Sequence, residues 1–167
     1  MKKTQSLKYF VNLLYAIYYS GFIGILLIPF ILYIHFYQEE LNIKNINMDF
    51  AHWSVLLTGI ITYILFFRGL FYLKKVASAL LLNDLFSSKV VINLNRSGKN
   101  FIFTGILYLS SLLILWIGNI SKGKISLSYN ILTLIPFLLI IFGLFFIIQS
   151  NALEMARDIK NENDLTI

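Results

Sequence analysis

An all-α polytopic membrane protein, with four transmembrane helices and helical cytoplasmic extensions, is the fold expected of this sequence. Composition argues against a water-soluble domain. Of 167 residues, 58% are hydrophobic and only 13% charged, against roughly 25% charged in soluble domains. Apolar runs at about 11–36, 55–73, 101–118 and 131–148 each approach or exceed the ~20 residues that cross a bilayer core of roughly 30 Å. Of the 14 Lys and Arg residues, 11 fall on the side of the termini, and only Lys44, Lys122 and Lys124 fall on the other. The positive-inside rule then puts both termini in the cytoplasm of a multi-pass inner-membrane protein. The chain, 1–167, reads as a single integral membrane domain.

The first run is too long for a signal-peptide core and no small-residue cleavage site follows it, so it is expected to remain as a helix. Trp53 and Trp116, with Tyr33, Tyr37 and Tyr129, fall near the outer interface, and Tyr9, Phe10 and Tyr72 near the inner one, the two aromatic belts of a spanning protein. After the second run, Val76, Ala77, Leu80 and Leu81 keep helical spacing to about Asn83. Ser87 or Ser88 is placed to cap a new helix. From there Val90, Val91, Leu94, Gly98, Phe101 and Ile102 recur at helical spacing into the third run. The polar stretch "LFSSKVVINLNRSGKNF" is therefore the cytoplasmic stem of a long helix. A second stem follows the fourth run, with Ala152, Leu153, Ala156 and Ile159 on one side and Glu154, Arg157, Asp158 and Lys160 on the other. The whole is expected to be a four-helix bundle capped by these cytoplasmic ends.

Residues with a chemical reading are few, and each has a plain alternative. "LIPFIL" at 27–32 is echoed by "LIPFLL" at 134–139, and Pro29 and Pro136 at similar depth would permit paired kinks. Chance repetition in an Ile/Leu/Phe-rich chain is the favoured account. Arg68 is the one basic residue inside a run, and with Leu73 five residues away it is expected to snorkel to the headgroups rather than form a buried ion pair. His35 and His52, with Glu39, Glu40 and Asp49 between them, match no metal motif and read as hydrated loop residues. Gly21, Gly24, Gly59, Gly105, Ser110, Ser111 and Gly143 are expected to let helices approach closely. The chain has no cysteine, nucleotide-binding loop or catalytic Ser/His/Asp set. Neither an enzyme nor a cofactor is expected. The basic inner loop attracts anionic headgroups but lacks a nucleic-acid module, so direct nucleic-acid binding is not expected.

The inner stem opens with Phe86-Ser87 and closes on Arg96-Ser97-Gly98, and the chain finishes on Glu162-Asn163-Asp164-Leu165-Thr166-Ile167. With four spans, these motifs resemble a family of small bacterial four-helix membrane proteins of unknown function. Members typically carry Phe-Ser/Thr, Arg-x-Gly and a Glu-x-x-Leu-Thr-Ile tail, and are commonly encoded beside a phage-repressor-type helix-turn-helix regulator. Lys89-Val90 stands here where the family usually has Glu-Asn. The resemblance implies a membrane-tethered partner or anti-regulator of a small cytoplasmic DNA-binding protein, with Phe86, Arg96, Glu162, Asp164, Leu165 and Thr166 as contact residues. The alternative is a small transport or toxin-protection component working near Pro29 and Pro136. The bilayer is the first partner under either reading, and self-association stays open.

Overall fold

The computed structural model describes residues 5, 8–9, 11–24, 27, 50–82, 84–121 and 133–165. They form helix α1 over 11–24, α2 over Phe50–Leu81, α3 over Ser88–Ser121 and α4 over Ile135–Leu165. Three helices are long and apolar enough to cross a membrane, α2 through Trp53–Leu81, α3 through Ser88–Gly118 and α4 through Ile135–Asn163. Helix α1 as described falls short of a span. Residues 25–26 and 28–36 of the expected first span lie outside the described residues. In the three apolar windows only 11–22% of residues are buried inside the protein. The large exposed side chains of α4, such as Phe137, Ile141, Phe145 and Ile148, are therefore a lipid-facing surface rather than a defect.

Both stems are continuous with their spans, as the apolar spacing predicts. Helix α2 ends where the amides of Leu82 and Asp84 both donate to the carbonyl of Ala79, at 3.1 and 3.2 Å. Helix α3 begins one residue after Ser87, whose carbonyl accepts from Val90 and Val91 at 3.0 and 3.3 Å. The Ser87 hydroxyl turns back and donates to the Asp84 carbonyl at 3.2 Å, so the residue tightens the turn rather than capping a free amide with its side chain. In α4 the expected apolar side is only partly covered. Leu153 packs against Val90 and Leu94, whereas Ile159 is left exposed. Arg157 on the same stem pairs with Asp158 at 3.1 Å and with Glu154 at 3.7 Å.

Helix α3 lies between α2 and α4, and the principal contacts among these helices run from α2 to α3 and from α3 to α4. A ladder of rings crosses all three, Phe66 to Phe101 at 5.7 Å and Phe101 to Phe146 at 5.8 Å. Nearer the α2–α3 turn, Val76, Val90 and Leu94 form a buried cluster that Leu153 and Phe146 close from α4. Helix α1 packs on α2 in the antiparallel sense. Val11 and Leu14 bury Ala77 at one end, and the Tyr63 hydroxyl donates to the Gly21 carbonyl at 3.0 Å further along. Between these points the Lys74 ammonium sits over three α1 rings, 4.2 Å from the Tyr15 centroid, 4.7 Å from Tyr18 and 5.2 Å from Tyr19. Three electron-rich faces around one cation hold α1 to α2 where a carboxylate partner would otherwise be needed.

Candidate functional site: the Arg96-Ser97-Gly98 turn and the groove beside it

Successive residues of an α-helix point about 100° apart, so three in a row address three directions. Arg96-Ser97-Gly98 uses all three. The Ser97 hydroxyl, fully buried, donates to the Gly69 carbonyl of α2 at 2.9 Å. Gly98 faces α4, where an added Cβ would stand 2.6 Å from the Gly143 carbonyl oxygen and 3.1 Å from the Ile147 amide nitrogen. The contact is reciprocal, since a Cβ on Gly143 would stand 2.7 Å from the Gly98 carbonyl oxygen. Two backbones touch here, and only glycine on each helix permits it. Arg96 points to neither helix core; its guanidinium lies 5.8 Å from the Tyr72 ring centroid.

A second serine bond mirrors the first. The buried Ser150 hydroxyl of α4 donates to the Val91 carbonyl of α3 at 2.8 Å. Helix α3 is thus tied to both neighbours by one side chain to one backbone carbonyl. Of the small residues expected to let helices approach, Gly105, Gly143, Gly21 and Gly24 do so, against Pro136, Gly98, Phe67 and Tyr63 respectively. Gly59 has nothing within 4 Å of where its Cβ would be. Ser110 and Ser111 donate to their own helix, to Leu107 and Tyr108 carbonyls at 2.7 and 2.8 Å. Gly69, which sequence reasoning passed over, receives the Ser97 bond and has Phe101 packed against it.

Pro136 is fully buried and is the second residue of α4, and its carbonyl packs against Gly105. In the first turn of a helix a missing N–H breaks no bond, so Pro136 starts the helix and creates no kink within it. Pro29 lies outside the described residues, as do His35, Glu39, Glu40, Asp49 and the side chain of His52. Among the described residues no group of three metal-ligating side chains assembles.

Arg96 opens onto a groove of about 510 Å³ between α2 and α3, lined by Leu65, Arg68, Tyr72, Arg96, Lys99, Asn100 and Phe103. Arg68 therefore does not stand alone at the boundary as its position in the second run suggested; two further cations face the same space. Asn100 is held by its own helix, its amide donating to the Arg96 carbonyl at 2.7 Å.

The six contact residues expected from the sequence divide. Phe86 is exposed in the α2–α3 turn, with the Lys160 ammonium of α4 at 6.0 Å from its ring centroid. Glu162 is exposed in the last turns of α4, and the helix runs on through Asp164 to Leu165. Thr166 lies outside the described residues. Phe86 and the end of α4 are thus brought to one tip, while Arg96 faces the groove on the α2–α3 side.

No curated protein and no solved structure matches this chain. Residues 39–167, the segment holding α2, α3 and α4, match the family described as "Protein of unknown function (DUF2975)", and the chain belongs to that family.

Proposed function

We propose that this chain is a non-enzymatic inner-membrane protein, both termini cytoplasmic, that docks a small cytoplasmic DNA-binding protein on the tip formed by the α2–α3 turn and the end of α4, acting as its membrane tether or anti-regulator. One observation carries the reading. Leu82, Met155 and Ile159 are 79, 67 and 60% exposed, and Leu85 and Phe86 are exposed beside them, all beyond the ring of Lys74, Lys75, Lys89, Arg96 and Lys99. Depth follows from the helix pairings. Gly98 meets Gly143 and Val91 meets Ser150, so Met155 lies level with the start of α3 and Ile159 lies further out. Lipid chains end at the cationic ring, and apolar side chains past it are exposed to water unless another protein covers them. A bacterial origin and a neighbouring helix-turn-helix regulator, implied by the resemblance, agree with this reading. The transport or toxin-protection alternative gains nothing from Pro136, which is packed against α3.

The test is cross-linked capture from membranes of the native host, comparing the full chain with Phe86→Glu, Met155→Glu and Ile159→Glu. A captured helix-turn-helix protein whose yield falls about tenfold or more in these variants, at unchanged membrane abundance, supports the docking tip. Equal capture by all four proteins, or capture of no such regulator, overturns it. Deleting Asn161 to Ile167 is expected to act in the same direction without loss of abundance.

A further inference from the structure

We propose that the groove between α2 and α3 binds a phosphate ester through Arg68, Arg96 and Lys99, and that the ester is the headgroup of a membrane lipid whose chains continue over Leu65 and Phe103. Three cations line one groove and no carboxylate lines it with them. Two other basic side chains near this boundary are differently engaged, Lys74 in its cage of tyrosines and Lys75 over Phe71 at 4.4 Å. Like charges gathered in one groove repel one another, and an anion between them reverses the sign of that interaction. Two guanidinium forks and an ammonium suit phosphate oxygens, and Tyr72 lines the same groove.

The direction of the groove selects the source of the phosphate. Helices α2 and α3 are antiparallel, so Leu65, three residues before Arg68, and Phe103, four residues after Lys99, both lead away from the α2–α3 turn toward the bilayer centre. At 1.5 Å per residue the apolar end begins about 5 Å deeper than the cationic end. A soluble phosphate ester would fill only the cationic end. A phospholipid fills both, and a volume of about 510 Å³ accommodates a headgroup and the start of its chains.

The test uses the purified full chain in detergent, with bound lipid counted by native mass spectrometry. Phosphatidic acid, whose monoester carries the most charge on phosphate, is expected to be retained about tenfold or more over phosphatidylcholine. Arg68→Gln with Lys99→Gln should abolish the preference, whereas Lys75→Gln with Lys89→Gln, the same change in charge on the same boundary, should leave it within about twofold. Arg68→Lys with Arg96→Lys keeps the charge and the fold and should weaken retention several-fold through loss of the planar forks. Glycerol 3-phosphate, the same headgroup without chains, should not displace the lipid at equal concentration. Equal loss in both glutamine variants would reduce the effect to diffuse surface charge and overturn the site. Retention unchanged by the lysine pair, or absence of any preference over phosphatidylcholine, would overturn it as well. Displacement by equimolar glycerol 3-phosphate would overturn the lipid as the ligand.

Discussion

Helix α3 meets its two neighbours in different ways. Toward α4 the contact is backbone to backbone, Gly98 on Gly143 and Gly105 on the Pro136 carbonyl, with no space left between them. Toward α2 it is made through side chains, Phe101 against Phe66 and Ser97 reaching across to Gly69. The cationic groove lies on this side-chain-mediated α2–α3 face. In a bilayer, where apolar burial drives helix association weakly, close approach of small residues supplies packing and wider contacts leave room for ligands. The α3–α4 side therefore reads as the rigid seam, and the α2–α3 side as the one open to chemistry.

The largest expected effect breaks the seam. Gly98→Ala and Gly143→Ala should each destabilise the protein by about 1 to 3 kcal/mol, since the new methyl meets backbone that cannot rotate away. The double variant should cost less than the sum because one displaced contact is shared. Denaturant titration of the solubilised chain measures both, and a neutral result at either glycine would contradict the close approach.

A smaller loss is expected from Ser97→Ala and Ser150→Ala, about 0.6 to 1.7 kcal/mol each. Because each hydroxyl makes one bond to one carbonyl, the two values should be similar even though the interfaces differ. A much larger cost at Ser150 would mean that it supports the seam by more than its hydrogen bond.

Lys74→Met tests a third kind of contact. It should loosen α1 by about 0.5 to 2 kcal/mol and speed proteolysis within 11–24 while leaving the unfolding of α2 to α4 unchanged. At the small end, Gly59→Ala should be neutral or stabilising by up to about 1 kcal/mol, because no neighbour opposes the methyl and alanine is the better helix former. Destabilisation there would place a partner helix against Gly59.

Much of the helical layout was legible because apolar spacing persists past the second run from Val76 to Leu81 and through both polar stems, from Val90 to Ile102 and from Ala152 to Ile159. The start of α4 was not. The run from Ile131 is broken only by Thr133, so Pro136 read as a possible kink inside the span, about two turns from its outer end, whereas it sits in the first turn of α4. Small residues announced close packing, but Gly59 and Gly98 look alike in sequence and differ only in which neighbour lies opposite. The groove was hidden for the same reason. Arg68 is 28 positions from Arg96 in the chain, and only the antiparallel register of α2 and α3 makes them neighbours. Phe86 lies in the exposed turn and Arg96 faces the groove; a turn residue has few directions to face whereas a helical one has many.

The central claim is the register of α3 against both neighbours, and the absence of native cysteine makes it directly measurable by oxidative cross-linking in intact membranes. Cysteine pairs at Gly69 with Ser97 and at Val91 with Ser150 should form disulfides rapidly, whereas moving one partner to Ile92 against Ser150 turns the thiol about 100° away and should leave that pair reduced. Rapid cross-linking of the Ile92 pair, or none at both in-register pairs, would contradict the placement of α3 and the groove derived from it.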